Sequence, residues 1–212
     1  MNNTLYYLFD PLCGWCYGAT PSVSDVIAAD DINVVLLPSG LFSDGGGRQM
    51  DQEFAAYAWS NDQRIERLTG QLFTQLYRAR VLSDHHQRFD SSAATLALTA
   101  VSLTAPANEF EALKAIQYAR YVQGRDVTSQ VTLVEILQRL ELPQAAELMT
   151  DASETLIHSN RSRISQAQTL MQKLNVRGVP TFIAQSSENL KVLSTNELYA
   201  NPSALAQQIR TL

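Results

Sequence analysis

Cys13 and Cys16, the only cysteines in the chain, stand two residues apart directly behind the apolar run Leu5-Tyr6-Tyr7-Leu8-Phe9. A strand that ends at Asp10-Pro11 and hands over to a helix at Cys13 sets that sulfur beside unpaired backbone N–H groups, where the nucleophilic thiolate is favoured. Cys16, one turn later on the same side, is placed to attack a mixed disulfide on Cys13 and release the bound partner. Other uses of the pair are weaker. A zinc site needs two more ligands, and the chain offers only His85, His86 and His158. A structural bridge closing a two-residue loop removes little unfolded-state entropy. Two unrelated buried cysteines stay open as a reading.

The 212 residues, 45% of them hydrophobic, suffice for a sizeable core without structural disulfides or metals. A net charge of −5 and the lack of any Lys/Arg block argue against a nucleic-acid partner. Met1-Asn2-Asn3-Thr4 lacks the basic start of a secretory signal, and no run approaches the roughly 20 apolar residues of a membrane helix. The expectation is a cytoplasmic protein with no membrane partner, a setting where a lone cysteine pair is more often catalytic than structural.

Residues 4 to 9 read as a buried first strand closed by Pro11. Residues 14 to 29 read as a helix kinked near Pro21 and ended by Asp30-Asp31, and the nearly continuous apolar run from Ile32 to Leu37 reads as a central parallel strand. This is a β-α-β unit. Gly45-Gly46-Gly47-Arg48 lacks the spacing of a phosphate loop and reads as a flexible connection.

From residue 49 to about 175 the periodicity is helical throughout. Ile65, Leu68, Leu72 and Leu76, widened by Phe73 and Tyr77, predict one helix, and Asp90-Ser91-Ser92 caps another that runs through Leu103. Further helices carry Phe110, Leu113 and Ile116, then Leu133, Ile136, Leu137 and Leu140, then residues 144 to 150. A long one starts at Ser153. Strand character returns at residues 180 to 184 and, after the polar turn 185 to 189, near Lys191-Val192-Leu193. A last helix spans about 202 to 209 with Asn201 as its cap.

Taken together, this order of elements, the cysteine pair at the first helix, and Arg177-Gly178-Val179-Pro180-Thr181-Phe182 opening the third strand resemble the thioredoxin superfamily. The long helical insertion looks like its DsbA-like branch. Phe9-Asp10-Pro11-Leu12-Cys13-Gly14-Trp15-Cys16-Tyr17-Gly18, with Phe89-Asp90-Ser91 and Gly124-Arg125-Asp126-Val127, is similar to the cytosolic predicted disulfide isomerases of that branch, relatives of FrnE proteins, hydroxychromene carboxylate isomerases and kappa-class glutathione transferases.

The resemblance implies an α/β thioredoxin fold formed by residues 1–43 and 176–212, with 44–175 as an inserted helical domain. It implies a thiol–disulfide oxidoreductase or isomerase in which Cys13 attacks and Cys16 resolves. Gly14, Trp15 and Asp10 tune the couple, and a cis Val179-Pro180 bond holds substrate, the Val179 carbonyl and N–H staying free to pair with an extended segment. The buried carboxylate that family members carry six residues before the first cysteine is here Tyr7. Asp10 is a substitute that reads more simply as a turn residue. A neutral Trp15 in place of the His of strongly oxidising members implies a less oxidising couple. The implied partners are cysteine-containing proteins or peptides, or low-molecular-weight disulfides, with a separate recycling partner. No bound cofactor is implied, and glutathione as a co-substrate stays open. The alternatives are a glutathione-dependent isomerase or transferase, whose usual Ser is here Cys13, and a binding module that uses the cysteines as a redox sensor.

Overall fold

The computed structural model describes residues 3–29, 31–187 and 189–211. Its main sheet has the order β2-β1-β5-β6, built from β1 (Asn3–Phe9), β2 (Ile32–Pro38), β5 (Thr181–Ser186) and β6 (Asn189–Val192). β1 runs parallel to β2 and antiparallel to β5, and β5 is antiparallel to β6. This mixed α/β arrangement is the expected β-α-β … β-β-α scheme. β1 is apolar at successive positions because both of its faces are covered. Leu5, Tyr7 and Phe9 point into the main core with both cysteines, while Leu8 packs with Leu37, Ile183 and Ala167 on the opposite face.

The first helical stretch breaks where proline chemistry requires. α1 (Gly14–Gly18) and α2 (Thr20–Ala28) meet at Ala19, with Pro21 in the first turn of α2. Proline has no N–H for the Tyr17 carbonyl one turn back. The side-chain amide of Gln71 donates to that oxygen instead, at 3.1 Å. Of the predicted Asp30-Asp31 stop, Asp30 lies outside the described residues, as does Glu188 of the predicted turn. Asp31 pairs with Arg210 at 3.0 Å.

Between β2 and β5 the chain is mainly helical: α3 (Gln52–Thr69), α4 (Gln75–Tyr77) running into a π turn at Arg78–Leu82, α5 (Ser92–Thr104), α6 (Glu109–Tyr121), α7 (Gln130–Arg139), α8 (Pro143–Thr150) and α9 (Glu154–Lys173). α10 (Ala204–Arg210) closes the chain, two residues later than Asn201 and Pro202 predict. Two findings correct the all-helical expectation. Two short strands, β3 (Arg48–Gln49) and β4 (Arg88–Phe89), pair antiparallel. The stripe from Ile65 to Leu76 is also not one helix: Gly70 adopts φ 74°, a left-handed conformation that ends α3 with its N–H on Glu66 O at 2.8 Å. Leu68 stays on the exposed side of α3, and the extended residues that follow Gly70 lead into α4 with Phe73 and Tyr77 in the core and Leu72 and Leu76 exposed.

α9 joins the helices to the sheet. Leu170, Met171 and Leu174 cover the Leu8 face. Arg163 donates to Leu36 O on β2 at 2.9 Å and to Thr99 Oγ1 on α5 at 3.1 Å, and it forms an ion pair with Glu109 on α6.

Candidate active site

Cys13 is the N-cap residue of α1, in extended conformation, and its carbonyl accepts from Tyr17 N–H at 3.0 Å. Both cysteines are free thiols. They are unequally reachable: Cys13 keeps 7% of its surface and Cys16 none. Burial, then the hydrogen bond to and charge of Cys13, push the Cys16 thiol well above its ordinary pKa. Both thiols are therefore buried, but Cys13 keeps a sliver of exposure while Cys16 has none and is held protonated.

The Val179–Pro180 bond is cis, as the resemblance implies, and follows Gly178 at φ 82°. Thr181 Oγ1 donates to Gly178 O at 2.9 Å and fixes the turn. One expectation is corrected: the Val179 carbonyl is not free, because the Cys13 thiol donates to it at 3.6 Å. The Val179 N–H makes no hydrogen bond to the described residues.

Asp10 serves as both turn residue and buried carboxylate. It is fully buried, with Oδ1 accepting from Leu12 N–H at 2.9 Å and Oδ2 accepting from Phe42 N–H at 3.0 Å and Ser91 Oγ at 2.8 Å. Burial raises its pKa, and the three hydrogen bonds oppose that shift. Its charge in turn raises Cys16. Ser91 stands at the predicted start of α5, yet its hydroxyl does not cap the helix, since it is committed to Asp10. Tyr7, at the position of the familiar carboxylate, is a buried phenol that donates to Cys16 O at 3.2 Å, and burial raises its pKa far above neutrality. It takes no proton at physiological pH.

Between the cysteines, Trp15 packs edge-on to Tyr199 at 5.0 Å and carries the Arg64 guanidinium 5.6 Å from its ring centroid. Gly14 permits a close approach: a Cβ there would lie 2.5 Å from Asp62 Oδ1 and displace that carboxyl. That carboxyl, on α3, was not singled out from the sequence. It lines a cavity of about 150 Å³ with Cys13, Gly14, Trp15, Tyr77 and Tyr121. Tyr77 OH donates to Asp62 Oδ2 at 3.0 Å, and Tyr121 OH donates to Leu12 O at 2.7 Å. Burial lifts the Asp62 pKa from 3.8 to about 7, against the opposing pull of Tyr77 and Arg120. A signal was present: Trp59, Asp62 and Ile65, spaced by three, share one buried face of α3, so an acidic residue interrupts an apolar stripe.

Arg120 is the buried cation of this region, 1% exposed, with its guanidinium 5.2–5.8 Å from the rings of Tyr77, Phe89 and Tyr121. Its Nε and Nη2 have no partner among the described residues, and it forms no ion pair with them. It lowers both Asp10 and Asp62 through space. A larger cavity of about 580 Å³ borders the outer edge of β2, but no cysteine lines it. Cys13 lines the smaller one.

A family model described as a DSBA-like thioredoxin domain matches residues 4–200. A search of curated proteins finds no match. Among solved structures, the cytosolic disulfide reductase DsbM from Pseudomonas aeruginosa is 31% identical with a TM-score of 0.87, covering 98% of this chain and 97% of its own. The same reductase with GSH aligns at 31% identity and TM-score 0.84, covering 98% of each chain. Oxidised BdbD from Bacillus subtilis, 12% identical with a TM-score of 0.55 over 99% of this chain and 86% of its own, shares the fold alone. No helix among the described residues is long and apolar enough to cross a membrane.

Proposed function

From the premise that the chain belongs to the DSBA-like thioredoxin domain family of thiol–disulfide oxidoreductases, we propose that it is a cytosolic disulfide reductase working through Cys13 and Cys16. The observation that carries this reading is the asymmetry of the two thiols: Cys13 slightly exposed, at 7%, and against Val179 O, Cys16 fully buried and held protonated. The Cys13 thiolate attacks a substrate disulfide, forming a mixed disulfide and expelling one sulfur. Cys16 then attacks Cys13, closing the Cys13–Cys16 disulfide, and its proton goes to the second sulfur, which leaves as a thiol. Two electrons have passed to the substrate. Asp10, by its charge, opposes early ionisation of Cys16, and Gly14 and Trp15 shape the approach. Val179 and Pro180 hold the substrate segment, whose backbone pairs with the Val179 N–H by strand addition.

The likeness to a reductase whose structure was solved with GSH favours glutathione as the thiol that returns the enzyme to its reduced form. A cytosolic glutathione pool also favours reduction over net oxidation. The test is glutathione-coupled reduction of a small disulfide. Activity in the wild type and its loss in Cys13→Ser are expected, and an active Cys13→Ser variant contradicts the assignment.

A further inference from the structure

Resting on the exchange reading above, we infer that Asp62 is the proton donor of the reaction: it protonates the sulfur that leaves when Cys13 attacks a substrate disulfide. The geometry assigns this role. Asp62 is 5% exposed and opens into the same cavity as Cys13. One carboxyl oxygen is fixed by Tyr77 OH, and the other lies over Gly14, the residue next to the attacking sulfur. No cation forms an ion pair with Asp62 among the described residues, so the carboxyl is not held for structural pairing.

The groups that face it do not compete for the proton. The Tyr77 and Tyr121 phenols are held neutral by burial, which raises both well above their ordinary range. Arg120, behind the aromatic rings, acts by its fixed positive charge. Asp62, with a midpoint of about 7, is half protonated near neutrality and so can both give and take a proton there.

In the forward step an electron pair on Cys13 forms the new S–S bond, the substrate S–S bond breaks, and the leaving sulfur keeps the pair of the broken bond. The Asp62 proton passes to this sulfur, leaving a thiol and a carboxylate. When a thiol reductant later attacks the Cys13–Cys16 disulfide, the Asp62 carboxylate takes the proton of the incoming thiol and is reset. A leaving thiol of high pKa needs this proton, and one of low pKa departs as a stable thiolate without it.

That difference supplies the test. The reduced wild type and Asp62→Asn are compared with hydroxyethyl disulfide, which releases an alkyl thiol, and with dithiobis(nitrobenzoate), which releases an acidic aryl thiol. Asp62→Asn is expected to lower kcat/KM for the alkyl disulfide by about 10²-fold, to remove the limb of its pH profile near neutrality, and to move the aryl reaction by less than about threefold. Equal losses on both disulfides mark a structural role and overturn the proposal, as does no loss on either. A wild type inert to both contradicts the exchange reading itself, and the proton-donor role falls with it.

Discussion

Cys13 Sγ and the Val179 carbonyl oxygen lie 3.6 Å apart although 166 residues separate them in the chain. The thiol is the donor in this contact, so ionisation or alkylation of Cys13 removes its only proton and releases the carbonyl. The Val179 carbonyl is thus freed as the sulfur becomes reactive, joining a Val179 N–H that already has no partner among the described residues. In the proposed mechanism, substrate capture and nucleophile activation share this one hydrogen bond.

Asp10 anchors the same turn through three donors, two of them backbone N–H groups. Asp10→Ala orphans the two backbone N–H groups and leaves the Ser91 hydroxyl only Ser43 Oγ, at 3.0 Å, so it is expected to destabilise the fold by about 3 kcal/mol, whereas Ser91→Ala removes one hydroxyl and costs about 1 kcal/mol. Urea unfolding of both variants and of the double variant measures this, with a coupling energy expected between the two positions.

Asp62 makes stability depend on pH. Its folded-state pKa of about 7 exceeds the ordinary 3.8, so the folded protein binds the proton more tightly. The associated stability is fully present below pH ~4 and is lost as the pH rises through about 7. Asp62→Asn cannot ionise. It is expected to match the wild type at low pH and to exceed it by about 2–4 kcal/mol at pH ~8, read as a higher Tm. Arg120→Met removes the cation that holds Asp62 down and is expected to move the carboxyl midpoint above 7, observable by NMR titration. A buried acid retained at such a cost fits a working group better than a structural one.

Gly14→Ala puts a Cβ 2.5 Å from Asp62 Oδ1, closer than side chains tolerate. The carboxyl must move, at an expected cost of about 1–3 kcal/mol. Adding Asp62→Ala to Gly14→Ala is expected to recover most of that loss in stability without restoring turnover of alkyl disulfides.

Arg163 holds the β2 edge to α5 and α6, with the Arg163 and Glu109 side chains 14% and 7% exposed. Arg163→Ala leaves a buried carboxylate unpaired and is expected to destabilise the protein by about 3 kcal/mol in thermal or urea unfolding, with little change in exchange rate at low temperature.

What the sequence revealed was what short spans determine. Leu5 to Phe9, Cys13, Cys16 and the run from Ile32 to Leu37 lie close together, and their spacing suffices to read a strand, a dithiol and a second strand. The Gly178-Val179-Pro180-Thr181 turn was legible through resemblance, because nothing local says that it faces Cys13. Side chains whose partners lie far away stayed hidden. Ser91 read as a helix cap because its hydrogen bond to Asp10 spans 81 residues. Asp62 was lost among the polar neighbours Asn61, Gln63 and Arg64, and Arg120 gave no sign of being buried among aromatic rings. The error at Leu68, Leu72 and Leu76 has a local cause: their three- and four-residue spacing persists through Gly70, where the backbone turns left-handed and the helix stops.

The central claim, that Cys13 attacks and Cys16 resolves, is tested most directly by intact-mass measurement of the Cys16→Ser variant after exposure to glutathione disulfide. The account predicts a stable adduct of one glutathione on Cys13, released by a strong reductant and absent from Cys13→Ser. A Cys16→Ser protein that stays unmodified, or an adduct that forms on Cys16 in Cys13→Ser at the wild-type rate, contradicts it.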